Sequence, residues 1–114
     1  MEPLELAQKA AFFASEKKAE KLLILDVSEL TSFTDYFVIC EAPSERQAQA
    51  IAGNIRDELS KLGKKPMGYE GFEQGNWILC DYGDVVVHVF LDTVRSHYNL
   101  EGFWHQAPII PCES

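Results

Sequence analysis

The side chains best suited to chemistry in this 114-residue chain are four aspartates placed at the ends of β-prone runs. They are Asp26, Asp35, Asp81 and Asp84. Two such carboxylates around magnesium would suit nucleotidyl transfer. An aspartate at a strand end or turn more often caps or forms the turn, and this interpretation is favoured here. Neither GxGxxG nor GxxxxGKS occurs, so no phosphate-binding loop is predicted.

His88 could act as a general base, but no serine or cysteine nucleophile with an orienting acid is indicated near it. We therefore expect a hydrogen-bonding interface histidine. The three histidines and three cysteines show no CxxC or HxxxH spacing, so no metal site and no cofactor are predicted. Cys40 and Cys80 lie in apolar patterns typical of reduced core thiols. Together these features do not favour a catalytic site.

The segment from Trp77 to Phe90 predicts a β-hairpin with two unlike faces. With Tyr82 and Gly83 as a two-residue loop, Trp77 would lie opposite His88. The first face is aliphatic and carries Ile78, Cys80, Val85, Val87, Val89 and Leu91. The second carries Trp77, Leu79, Asp81, Asp84, Val86, His88 and Phe90. Aromatic groups with a few polar tips are typical of partner surfaces, although a second layer of the domain could also bury them. The pairing register of the two strands, and with it the face on which His88 lies, depends on the number of residues in the loop.

The elements that must position this hairpin follow the order αββαβββα. They are a helix over about 3–19, strands over 22–25 and 36–40, a helix from 44 to 62, strands near 67–70, 77–81 and 84–91, and a short helix from 92. Ser44 to Gln47 form a capping box, and Gly63 ends that helix. We predict one α/β domain over 1–106, with a mixed five-stranded sheet, a central 22–25 strand and flanking helices. Residues 107–114 are predicted to be an irregular tail.

The charge of the chain restricts its partners. A formal net charge of −8 and a pI near 4.7 disfavour binding that depends on neutralising phosphates. A basic protein is the better expected partner. The start at Met1 lacks a signal peptide or presequence pattern, and no stretch reaches membrane-spanning length. We expect a cytoplasmic protein with little nucleic-acid contact and no membrane contact.

Several motifs occur in order along nearly the whole chain. They are Asp26-Val27-Ser28, 33–40, 44–47, Glu70-Gly71, 77–79, 81–90, Arg95, Tyr98, Leu100, Glu101 and Trp104. Together they resemble the ribosomal silencing factor family, also called the Iojap family.

The resemblance implies a non-enzymatic regulator of translation. Family members bind the large ribosomal subunit through ribosomal large-subunit protein fourteen and sterically block subunit joining when nutrients are scarce. Their fold is similar to a nucleotidyltransferase core without a working active site, and crystallised relatives are often homodimers. The alternatives are a magnesium-dependent nucleotidyltransferase and a homodimerising interaction module.

The contact residues are predicted from this resemblance together with the acidic net charge of the chain. Aromatic and imidazole contacts are assigned to Trp77, Tyr82, His88 and Phe90. Carboxylates for lysines or arginines of the partner are assigned to Glu70, Asp81 and Asp84.

Overall fold

A six-stranded sheet forms the centre of the structure, a computed structural model that describes residues 1–112. The elements are α1 (Pro3–Glu16), β1 (Glu20–Asp26), β2 (Tyr36–Ala42), α2 (Glu45–Lys61), β3 (Gly68–Glu70), β4 (Trp77–Asp81), β5 (Val85–Leu91), α3 (Asp92–Tyr98), α4 (Leu100–Phe103) and β6 (Ile109–Ile110). The strand order is β3-β4-β5-β2-β1-β6, and β2 and β5 pair in parallel while the other pairs are antiparallel. The predicted α/β class with a mixed sheet is confirmed.

Strand β6 lies in the segment that was predicted to be an irregular tail. With it the sheet has six strands rather than the predicted five. Ile109 and Ile110 pair with Leu25 and Ile24 of β1, so the sheet continues beyond the expected edge. Strand β1 is therefore second from one edge, and the prediction that it is central was wrong. Its apolar run is still explained, because Ile24 and Leu25 are buried in clusters on opposite faces. Positions 113–114 of the predicted tail lie outside the described residues.

Helices α1 and α2 cover the aliphatic face of the sheet. Buried alanines of α1 and buried isoleucines of α2 form one cluster with the β-strand side chains beneath them. Helix α1 ends at Glu16, three residues before the predicted end. The reason is that Lys18 adopts a left-handed φ of 62°, which turns the chain into β1. This layer leaves the opposite face of the sheet to the short helices α3 and α4.

Half of the predicted capping box is present at the start of α2. The Ser44 hydroxyl accepts a hydrogen bond from the Gln47 backbone N–H at 3.1 Å, as predicted. The Gln47 side chain does not return to the cap. It donates instead to the Lys17 carbonyl, which ties α2 to the end of α1.

We expect Ser44→Ala to lower the free energy of unfolding by about 1 kcal/mol, because one amide at the start of the helix loses its acceptor. Chemical denaturation followed by circular dichroism measures this change. Ser60→Ala, in the last turn of the same helix, is the matched control, because alanine favours the helix there. Equal destabilisation by both variants would contradict the assignment of the cap.

Candidate protein-docking site

The hairpin of β4 and β5 has a register two residues away from the predicted one. Trp77 lies opposite Phe90 rather than His88. Tyr82 continues the ladder by donating its N–H to the Val85 carbonyl at 2.8 Å, so the two loop residues are Gly83 and Asp84. A shift by two residues preserves the alternation of side chains. The predicted assignment of residues to the two strand faces therefore holds except for Asp84, which lies in the loop, while the predicted pairing was wrong.

Local backbone conformation and hydrogen bonding explain why the loop lies one residue later than predicted. Gly83 has a φ of +85°, a conformation that favours glycine, and its N–H donates to the Asp81 carboxylate at 2.8 Å. Asp26 accepts likewise from the Ser28 N–H and hydroxyl at 3.0 and 2.6 Å. The interpretation as a turn former is therefore confirmed for Asp26, and Asp81 has the same role. In the described residues, 1–112, no three His, Cys, Asp or Glu side chains are grouped so that they could hold a metal ion.

The aromatic face is covered over β5 and β2. His88 is 5 % exposed and Phe90 is inaccessible. Phe90 lies in the cluster packed beneath α3 and α4, and the imidazole of His88 contacts the Phe37 and Phe90 rings of that cluster. The expectation that these two side chains lie on an exposed partner surface was therefore wrong. The alternative, burial by a second layer of the domain, describes this part of the sheet.

The same face is open over β3 and β4. Trp77 and Leu79 are half-buried, and Glu70 lies opposite Leu79 on the neighbouring strand. Alternation places Asp81 on this face as well. Tyr98 at the end of α3 is 56 % exposed, and its ring centroid lies 4.7 Å from that of Trp77. We call these five residues the Trp77 surface.

Two of the predicted contact residues lie elsewhere. Tyr82 packs on the aliphatic face near Cys80 and Tyr69, where burial raises the pKa of its hydroxyl. Asp84 is exposed in the hairpin loop, and its carbonyl accepts the N–H groups of Asp35 and Tyr36. The structure therefore places Glu70, Trp77 and Asp81 on the open part of this face and Tyr82 and Asp84 elsewhere. His88 and Phe90 are buried under the same face, where both contact Trp77.

Trp77 and His88 are joined by a hydrogen bond. The Trp77 Nε1–H donates to His88 Nδ1 at 3.1 Å, and the Phe37 ring meets the imidazole edge-on with centroids 4.9 Å apart. Burial lowers the pKa of His88 to about 4, so the ring is neutral at pH 7. Burial also raises the pKa of the Cys40 and Cys80 thiols to about 12, as expected of unreactive core cysteines.

The depressed pKa of His88 predicts a pH dependence of stability. The value is about 4 in the folded protein against 6.5 for an ordinary histidine, so the unfolded chain binds more protons between these two pH values. The contribution of the neutral His88 to the free energy of unfolding is therefore fully present above pH 6.5. We expect it to fall by about 3 kcal/mol as the pH drops to 4. Urea denaturation across this range measures it, and His88→Phe should remove this component. An unchanged slope in His88→Phe would contradict the prediction.

Arg95 is a buried residue for which no role was predicted. Its Nη1 donates to the Lys21 carbonyl at 2.6 Å and to Glu41 Oε1 at 3.3 Å, and its Nε donates to Glu101 Oε2 at 2.9 Å. The guanidinium thus fastens α3 and α4 to β1 and β2. A signal was present in Glu41, a carboxylate directly after the apolar run of β2, because a buried carboxylate requires a cation.

Gly71 fixes where β4 begins. Its φ is +79°, and a Cβ at this position would lie 2.1 Å from the Trp77 carbonyl oxygen. Only glycine allows the two backbone segments to approach so closely. The turn after β3 therefore helps to place the backbone of Trp77.

Comparison with known proteins identifies the family. A family model described as ribosomal silencing factor during starvation matches residues 1–114. The chain belongs to the ribosomal silencing factor family. It is 45 % identical over 100 residues to the ribosomal silencing factor of Bacillus subtilis, covering 88 % of this chain and 85 % of that one. It is 40 % identical over 106 residues to the chloroplastic protein Iojap of Zea mays, covering 93 % of this chain and 46 % of that one.

Solved structures agree with the fold of a ribosomal silencing factor. A Chromobacterium violaceum protein superposes with a TM-score of 0.90 at 37 % identity, covering 92 % of this chain and 88 % of that one. A Bacillus halodurans protein gives 0.84 at 40 % identity, covering 95 % and 98 %. Family membership supports a general role in regulating translation at the ribosome, which is regulatory rather than catalytic. Across residues 1–112, no helix has the length and apolar character needed to cross a membrane.

Proposed function

We propose that this chain docks on the large ribosomal subunit through the Trp77 surface and sterically blocks joining of the small subunit, repressing translation when nutrients are scarce. The observation that carries the proposal is the half-exposed aromatic pair of Trp77 and Tyr98, on the open face of the sheet that also carries Glu70 and Asp81. Aromatic side chains flanked by polar groups supply most of the binding energy in protein interfaces. The proposal includes no catalytic step.

Charge favours a basic protein of the large subunit as the direct contact, and we propose ribosomal large-subunit protein fourteen. A chain with a net charge of −8 is repelled by exposed ribosomal RNA. The exposed Glu70 and the half-buried Asp81 place two carboxylates on the same face of the sheet as the aromatic groups. Asp81 uses Oδ1 in the hairpin loop, which leaves Oδ2 for a lysine or arginine of the partner. Such contacts add speed and specificity to the association.

The test is a subunit-joining assay on sucrose gradients. Large subunits are incubated with this protein before small subunits are added, and we expect the peak of joined ribosomes to fall in proportion to the protein bound. Adding the protein after joining should have a smaller effect, because a steric block acts on free subunits. Unchanged joining when the large subunits are saturated would contradict the proposal.

The Trp77 surface is also suited to forming a homodimer. The half-buried Trp77 and Leu79 and the exposed Tyr98 would lose solvent contact against a second copy as they would against a ribosomal protein. Analytical ultracentrifugation with and without large subunits separates the two uses. We expect any dimer to dissociate when large subunits are added, because both partners compete for one surface. A cytoplasmic location remains a prediction.

A further inference from the structure

We infer that His88 is a positioning residue that holds the indole of Trp77 in its docking orientation, an inference that rests on the proposed function. The hydrogen bond from Trp77 Nε1 to His88 Nδ1 links a side chain at the surface to one that solvent barely reaches. This role differs from the partner contact predicted for His88 from the sequence.

His88 is itself firmly held. It lies on β5, whose backbone pairs with β4 on one side and with β2 on the other. The Phe37 ring meets the imidazole edge-on, and the Phe90 ring stacks parallel to it at a centroid distance of 6.2 Å. A side chain fixed from the backbone and from two rings offers a fixed acceptor.

The indole needs such an acceptor because its aromatic neighbours do not fix its rotation. Trp77 contacts Phe90 and Tyr98 at centroid distances of 5.0 and 4.7 Å, with tilted rings in both pairs. Aromatic contacts of this kind tolerate a range of ring angles. A hydrogen bond is directional, so the bond to Nδ1 selects one orientation of the half-exposed ring.

The other ring nitrogen of His88 is in an unfavourable environment. Because Nδ1 accepts, the proton of the neutral ring lies on Nε2, which is buried and has no hydrogen-bond partner within residues 1–112. An unpartnered buried N–H destabilises the fold. Phenylalanine would fill the same aromatic layer without that cost, so the imidazole is better explained by the acceptor it offers to Trp77.

The test compares His88→Phe and His88→Asn with the natural protein in the full chain. Phenylalanine keeps an aromatic ring and removes the acceptor, whereas asparagine offers an amide oxygen near the position of Nδ1. Nuclear magnetic resonance of the indole N–H groups reports on the bond directly, and Trp104→Phe assigns the second tryptophan signal.

We expect the Trp77 indole proton to resonate downfield and to exchange slowly with water. It should move upfield and exchange faster in His88→Phe, with partial return in His88→Asn. Binding to large subunits should weaken about three- to tenfold in His88→Phe, which matches the loss of one hydrogen bond. The unfolding midpoint at pH 7 should not fall in His88→Phe, which separates positioning from a structural role.

Three results would overturn the inference. One is an unchanged Trp77 indole signal in His88→Phe, and another is unchanged binding by that variant while Trp77→Ala binds poorly. The third needs no variant, namely an imidazole nitrogen spectrum that places the proton on Nδ1 at pH 7. If the natural protein and Trp77→Ala both fail to bind large subunits, the proposed function has failed and the docking role of His88 fails with it.

Discussion

Trp77→Ala is expected to weaken binding to the large ribosomal subunit by about thirtyfold or more, the change typical of a central aromatic contact in an interface. Trp77 is the largest side chain on the Trp77 surface, and its removal also takes away the ring against which Tyr98 packs. Co-sedimentation of labelled protein with purified large subunits measures the dissociation constant. The unfolding midpoint is measured alongside, so that binding is compared only where the variant is folded.

The matched control for this variant is Phe12→Ala. Phe12 is a partly exposed aromatic residue, 42 % accessible, on α1, the helix that covers the aliphatic face on the other side of the sheet. This variant removes a partly exposed aromatic ring away from the Trp77 surface, and we expect it to bind as the natural protein does. Equal weakening by the two variants would show that the docking surface is misplaced.

Arg95→Met is expected to lower the free energy of unfolding by about 3–5 kcal/mol, because it leaves the buried carboxylate of Glu41 without its cation. Most domains are stable by only about 5–15 kcal/mol, so this variant should lose a large part of its stability. Urea denaturation monitored by circular dichroism measures the loss. The variant should also release α3 and α4, and with α3 the Tyr98 part of the Trp77 surface.

A double variant, Arg95→Met with Glu41→Leu, tests the stated cause. Removing both charges should recover much of the stability, because the buried Glu41 carboxylate is gone and the other ion-pair partner of Arg95, Glu101, is partly exposed to solvent. Lys61→Met is the surface control, since the ion pair of Lys61 with Glu58 is solvated and its loss should be undetectable. A fully stable Arg95→Met variant would contradict the structural role of the buried guanidinium.

The elements that were predicted well depend on local sequence. Helix α2 could be placed because Ser44 caps its first turn and Ile51 and Ile55 follow at helical spacing, and both signals act within a few residues. The two faces of the hairpin could be assigned because alternation survives a register shift of two residues. These features required no knowledge of distant parts of the chain.

The features that were missed depend on tertiary contacts. Helices α3 and α4 have seven and four residues, too short for a helical pattern to show which face of the sheet they cover. The burial of His88 and Phe90 beneath them was therefore not predicted. Strand β6 has only two residues and forms because the edge of β1 is available to it. The hairpin register was missed because it depends on the hydrogen bond from the Gly83 N–H to the Asp81 carboxylate. The alternation of side chains does not reveal this bond.

Site-specific photocrosslinking to the large subunit identifies the ribosomal component that the Trp77 surface contacts. A photoreactive amino acid replaces Tyr98 on the Trp77 surface in one protein and Phe12 on α1 in another, both exposed positions. We expect position 98 to crosslink to one basic protein of the large subunit, ribosomal large-subunit protein fourteen, and position 12 not to crosslink to it. Crosslinks from position 12 alone, or from position 98 chiefly to ribosomal RNA, would contradict this expectation.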